Sequence, residues 1–219
     1  MAIRAFLFDF DGLILDTETA SRAGWEWLYR EHGHELPPEK WELVVGTTGA
    51  WSPMDHLEDL VGVPLERDAL NERRYAHELS LIEAEELRPG IADYLAAAER
   101  HGLKRAIVSS SSRRWIDLHL ARLEREVGWD AILTANGDHS RAKPNPVLYL
   151  EALETLSVRA DEAIVFEDSP NGVRAGKAAG IFTVGIPNSV TRDYGLDEAD
   201  LVVDSLADLP PDELLARFS

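Results

Sequence analysis

The sequence predicts an α/β fold: a doubly wound parallel sheet forms the core, and an all-helical domain is inserted into it. Three observations predict it. Short apolar runs alternate with helical patterns from about Pro89 to the end of the chain. The first apolar run, residues 3–8, is almost continuous, as a central parallel strand covered on both faces requires. Between these parts, residues 16–88 read as helices alone.

Taken in order, the strands are expected at 3–8, 105–108, 131–133, 163–166, 181–184 and 201–203. Each of the later ones follows a polar or glycine-containing turn such as "HGLK", "GWD" or "KAAG". Among the intervening helices, Ile91, Leu95 and Ala98 share one face. So do Ile116, Leu120, Leu123 and Val127, and then Val147, Leu150 and Leu153. Strand and helix in alternation build βαβ units and hence a parallel sheet. The insertion is expected to hold helices at 18–32, 39–45, 52–61 and 66–83, with "GHELPPE" and "VGVPLE" as turns. It divides the chain into a core of residues 1–15 and 89–219 and a cap of residues 16–88.

Composition narrows the function. The chain has 219 residues, of which 45% are apolar and 28% charged, the profile of a globular domain with a sizeable core. A formal charge of −18 repels nucleic acid and anionic lipid, so neither is an expected partner. The apolar N-terminal run leads straight into acidic residues, which suits a structural strand of a cytoplasmic protein. The absence of cysteine excludes disulfides, thiolate metal sites and a cysteine nucleophile.

The chemistry gathers at the strand ends. In a doubly wound sheet ligands bind beyond the carboxyl ends of the strands. The first strand ends in Asp9, Asp11 and Gly12, the second in Ser109 of "IVSSSS", and the fourth in Glu167 and Asp168 of "VFEDSPNG". Lys143, one of only four lysines, follows the third strand in "RAKPNP". Adjacent carboxylates repel and raise each other's pKa, so a cation is needed among them. All-oxygen ligands favour a hard divalent ion, Mg²⁺. A phosphoryl group fits the remaining pieces. Mg²⁺ and Lys143 neutralise its oxygens, while Ser109 and backbone N–H groups near Gly12 and Ser110 hold them. Asp9 ends the rigid strand and is the expected nucleophile; Asp11 is the expected acid and base.

The stretches "FDFDGLILDTE", "IVSSSS", "KPNPVLYL" and "FEDSPNGVRAGKAAG" resemble, in order, the four motifs of the haloacid dehalogenase-like superfamily. They are most similar to its β-phosphoglucomutase-like sugar phosphatases with a helical cap. The resemblance implies a Rossmann-like core and a mobile cap. It implies that Asp9 becomes an aspartyl phosphate, that Asp11 is the general acid and base, and that Ser109 and Lys143 bind phosphate. It also implies that Asp9, Asp168 and the Asp11 carbonyl ligate Mg²⁺, with Glu167 beside or behind the metal.

Other residues read differently. Ser112 and Asp16 are expected helix caps. The cap tryptophans Trp25, Trp27, Trp41 and Trp51 are expected to pack between helices, with one free to face substrate. Arg22, Arg73, Arg74 and His77 are read as solvated. Substrate choice is assigned to the 46–51 loop and the inner face of 18–30. The expected function is a Mg²⁺-dependent phosphatase of small phosphorylated metabolites, of sugar-phosphate or nucleotide type, working as a monomer. A sugar phosphomutase is the alternative. The resemblance places that activity's arginine at Gly49 and its histidine at Ser21, which speaks against it. A catalytically idle binding protein is the alternative of another class, although no motif residue is lost.

Overall fold

The computed structural model describes residues 2–41, 43–44, 51–123 and 128–218. Among them six parallel strands form one sheet in the order β3-β2-β1-β4-β5-β6. The strands are β1 (Ala5–Phe8), β2 (Lys104–Ser109), β3 (Ala131–Thr134), β4 (Ala163–Glu167), β5 (Phe182–Gly185) and β6 (Leu201–Val202). β1 lies at the centre, with β2 on one side and β4 on the other. The chain therefore winds outward from β1 in one direction and later returns to wind in the other. That reversal opens a crevice at the carboxyl ends of β1 and β4.

The two faces of the sheet are packed differently, and the period-2 alternation decides which residue goes where. Phe6, Phe8, Ile164 and Phe166 face one layer, together with Ile91, Tyr94 and Leu95 of α5 (Ile91–His101). The rings of Phe8 and Phe166 stack at 4.9 Å, and Tyr94 meets Phe166 edge-on at the same distance. Ala5, Leu7, Ala163 and Val165 face the other layer, where α7 (Val147–Leu156) and α8 (Pro170–Ala178) lie close on smaller side chains. α6 (Arg113–Arg122) and α9 (Pro211–Ala216) complete the described α-helices of this part.

No strand interrupts the described residues between Thr17 and Ile82. They form α1 (Thr17–Glu31), α2 (Pro38–Trp41), α3 (Pro53–Val61) and α4 (Arg67–Ile82). Leu28, Tyr29, Trp41, Met54, Leu57 and Leu70 make a separate apolar cluster, against which Trp25, Trp27 and Trp51 pack. The expected 39–45 helix is shorter: α2 stops at Trp41, and residues 42 and 45 lie outside the described set. So do residues 46–50 of the expected substrate loop, Gly49 among them, and Val127 of the α6 face. Among the described residues no helix is long and apolar enough to cross a membrane.

Gly90 joins the insertion to α5. Its φ is +88°, and an added Cβ would lie 2.4 Å from the backbone carbon of Leu206. Only glycine tolerates both. Gly90→Ala is expected to cost more than about 2 kcal/mol in urea unfolding, from combined backbone strain and overpacking. A loss within experimental error of zero would contradict this.

Candidate active site

The acids, Ser109 and Lys143 are carried by strand ends or by the segments that follow them. Phe8 pairs with Phe166 in the sheet, and the next residues, Asp9 and Glu167, leave it side by side. The Asp9 N–H donates to the Phe166 carbonyl at 3.0 Å, which fixes where that carboxylate starts. Asp9, Glu167 and Asp168 are all buried, and one oxygen from each falls within a 4.8 Å cluster. Lys143, 2% exposed, reaches into the same volume, bonding Asp9 Oδ1 and approaching Glu167 Oε1 at 2.6 Å.

One buried ammonium among three buried carboxylates leaves an excess of negative charge, and the titration of the groups follows from it. Burial pushes Asp9 up to about 7; Lys143 pulls against this, and Glu167 and Asp11 add to it. Asp168 is pushed well above the carboxylate range, first by burial and then by Asp9 and Glu167. For Lys143, burial acts to lower the pKa, but the two carboxylates outweigh it and hold the ammonium above its ordinary value. A hard cation would remove the excess, and the all-oxygen donor set fits Mg²⁺.

Glu167 is held by more than Lys143. The buried Tyr149 hydroxyl donates to the same Oε1 at 2.6 Å, and the Lys143 ammonium lies 5.4 Å from the Tyr149 ring centre. Gly172, in the first turn of α8, makes room: a Cβ there would lie 1.9 Å from the Glu167 carboxyl carbon. Asp168 accepts from Asn188 Nδ2 at 2.6 Å.

Asp11 occupies a different environment. Its carboxylate accepts four hydrogen bonds: Thr17 Oγ1 at 2.8 Å and Trp115 Nε1 at 2.6 Å on one oxygen, Ser109 Oγ at 3.2 Å and Ser111 Oγ at 2.5 Å on the other. These donors come from the start of α1, the end of β2, the turn after it and α6. Asp11 thus joins the inserted helices to the sheet edge. Asp16 caps α1 through the Thr19 N–H, and Ser112 caps α6 through the Trp115 N–H, as the sequence suggests.

The predicted phosphate cradle is brought together only in part. Ser109 is buried at the strand end, and the Ser110 hydroxyl accepts from the Lys143 N–H at 3.2 Å. Gly12 differs. Its N–H closes a turn onto the Leu15 carbonyl at 2.8 Å, so it is not offered to a ligand here. Its conformation serves close approach instead, since φ is +78° and a Cβ would lie 2.3 Å from Asp168 Oδ2.

Above Asp11 lies a cavity of about 500 Å³. α1 and α4 supply Glu18, Ser21, Trp25, Arg74, Tyr75 and Glu78; Ser111, Ser112, Arg114 and Trp115 face them. Arg74 was expected in solvent, yet it is largely buried, pairing with Glu78 at 2.5 Å. The other cap bases fit that expectation better: Arg22 pairs with Glu26, Arg73 with Glu31, and His77 stacks on Trp27. Tyr149, Trp115 and Asn188 escaped the sequence reading. Asn188 follows β5 in an otherwise ordinary loop, and the two aromatics fall on helix faces, where packing is the ordinary use.

Burial, reinforced by the carboxylates of Asp11, Asp9, Glu78 and Asp16, pushes Glu18 up to about 8 from 4.5. Between those values the folded chain keeps a proton that the unfolded chain has lost. Stability must therefore fall as pH rises through that window and then level off. In metal-free protein, Glu18→Gln is expected to gain urea-unfolding stability over the parent as pH rises from 5.5 to 8.5. A difference independent of pH would contradict this.

The comparisons with known proteins agree with this geometry. Residues 3–180 match the family model of the haloacid dehalogenase-like hydrolases. The chain is 39% identical to YhcW of Bacillus subtilis (strain 168) over 207 residues, covering 94% of each. It is 31% identical to the validoxylamine A 7'-phosphate phosphatase of Streptomyces hygroscopicus subsp. limoneus, covering 93% of this chain and 94% of that one. Among solved structures, β-phosphoglucomutase from Clostridium difficile superposes with a TM-score of 0.75 at 27% identity, covering 99% and 97%. The chain belongs to the haloacid dehalogenase-like hydrolases, and within them it is of the β-phosphoglucomutase-like kind.

Proposed function

We propose that this chain, a phosphoric monoester hydrolase, is a Mg²⁺-dependent phosphatase of small phosphorylated metabolites that works through an aspartyl phosphate on Asp9. The observation that carries this reading is the buried cluster of Asp9, Glu167 and Asp168 around the single ammonium of Lys143. A structural ion pair would not need three carboxylates for one cation.

Asp9 attacks the phosphorus, forming its Oδ–P bond as the bond to the alcohol oxygen breaks. Asp11 gives its proton to that departing oxygen, and the alcohol leaves. Asp11 then takes a proton from water, whose oxygen forms a new bond to phosphorus while the Asp9–phosphorus bond breaks. Inorganic phosphate leaves and Asp9 is restored. Lys143 neutralises phosphoryl oxygens, and Ser109 and Ser110 stand at the strand end to hold them. Glu167, itself tied to Tyr149, keeps the Lys143 ammonium in place. Asp9, Asp168 and the Asp11 carbonyl would hold Mg²⁺, which would supply the positive charge that offsets the excess of carboxylates.

Residues 16–88 act as a cap over a core of residues 1–15 and 89–219, excluding water while Asp9 reacts. Substrates of sugar-phosphate or nucleotide type suit a cavity of about 500 Å³ better than a phosphoprotein does. The phosphatase name of the Streptomyces relative, at 31% identity, supports hydrolysis. Ser21, which lines the cavity in place of the histidine that the mutase resemblance calls for, supports hydrolysis over phosphoryl return.

The test uses p-nitrophenyl phosphate with Mg²⁺. Asp9→Asn is expected to lower phosphate release by more than about a thousandfold while circular dichroism stays unchanged, since the nucleophile is lost. Chelation should abolish release by the parent protein, and added Mg²⁺ should restore it. A folded Asp9→Asn protein with more than a tenth of parental activity would contradict the reading. So would a phosphoprotein hydrolysed better than every small ester.

A further inference from the structure

The cavity over Asp11 carries an uneven set of charges. Its lining includes the carboxylates of Asp11, Glu18 and Glu78 and the guanidinium groups of Arg74 and Arg114. Arg114 is exposed at the mouth, where water and salt weaken its field. Arg74 is the inner cation, and it is already committed. Its Nη1 bonds Glu78 Oε2 at 2.5 Å, and its guanidinium lies 4.7 Å from the ring centre of Trp25. The two side chains are only 15% and 7% exposed. Drawing Arg74 onto a ligand anion would strand the Glu78 carboxylate, buried and uncompensated, which is costly.

We infer that the substrate is a monophosphate whose organic part is uncharged or bears an amine, and that an ester with a second anionic group is disfavoured because the Arg74–Glu78 pair leaves it no uncommitted inner cation. This rests on the phosphatase reading and narrows it. The same surfaces suit hydroxyl and amine donors: Glu18 and Glu78 offer acceptor oxygens, and Ser21 and Ser111 add hydroxyls. One face of Trp25 is taken up by Arg74, which leaves that face closed to a stacked base. The push on Glu18 from Asp11, Asp9, Glu78 and Asp16 has the same sign that a second substrate anion would meet.

The experiment compares glucose 6-phosphate, glucosamine 6-phosphate, 6-phosphogluconate and glucose 1,6-bisphosphate. Each is measured with Mg²⁺ as a substrate and as a competitive inhibitor of p-nitrophenyl phosphate hydrolysis. The neutral and amine-bearing esters are expected to exceed both doubly anionic ones at least tenfold in kcat/KM or in inhibitory affinity. Glu78→Gln frees Arg74 and should shrink that gap below threefold. If this variant does not fold, Ser21→Lys, which adds an uncommitted cation to the lining, should shrink the gap in the same direction. Equal or better use of 6-phosphogluconate or the bisphosphate by the parent protein would overturn the inference, as would a gap unmoved in a folded Glu78→Gln. Absence of phosphate release from every ester, p-nitrophenyl phosphate included, would instead overturn the phosphatase reading beneath it.

Discussion

The contact between the Lys143 ammonium and the carboxylates of Asp9 and Glu167 is the constraint on which the site depends. All three groups are buried, and removing Lys143 leaves the carboxylates uncompensated in a poorly solvated volume. The sheet makes the contact possible by pairing β1 with β4, so that two acids leave adjacent strands together. Much of the surrounding sequence exists to keep it in place. Tyr149 fixes the Glu167 oxygen that Lys143 uses, and Gly172 leaves Glu167 the space to reach it. Even so balanced, the cluster remains too negative, since Asp168 adds a third carboxylate. That imbalance costs folding energy and is of use only where a cation is to be bound.

Asp9 and Asp11, two residues apart on one strand end, end up with opposite surroundings. Asp9 turns into the buried cluster and meets an ammonium. Asp11 turns toward the inserted helices and meets the hydroxyls of Ser109, Ser111 and Thr17 and the Trp115 indole N–H. Two carboxylates in unlike environments suit two unlike roles. Because Thr17 begins α1, the state of Asp11 is joined mechanically to the helices that line the cavity. On the proposed reading, a substrate that fits between α1 and α4 presses on the same segment that holds Asp11.

The gathering of Asp9, Lys143, Glu167 and Asp168 at one sheet edge was legible in the sequence because it obeys a simple punctuation. Apolar runs stop at acids, a serine or a lysine-containing turn, and the doubly wound order brings those stops to one edge. The lining of the cavity was legible only on the α1 side, where Glu18, Ser21 and Trp25 lie within the expected 18–30 face. Arg73 and Arg74 are neighbours on α4, yet one pairs with Glu31 at the surface while the other lies buried between α1 and α4. A turn of about 100° per residue separates them, and only the packing of α1 on α4 says which turns inward. Gly12 misled for a similar reason. A glycine at a strand end suits an anion cradle, but here the local turn uses its N–H, and its missing side chain makes room for Asp168. Tyr149 and Trp115 were hidden because an aromatic on a helix face is ordinarily packing, and each is that as well as a donor to a carboxylate.

The central claim is that Asp9 carries the phosphoryl group between the ester and water. The stereochemical course at phosphorus tests it most directly, using an ester made chiral with oxygen isotopes and hydrolysed in isotopically labelled water. Two successive in-line displacements, first by Asp9 and then by water, predict net retention of configuration. Net inversion would mean that water attacks the ester in one step, and would contradict the account.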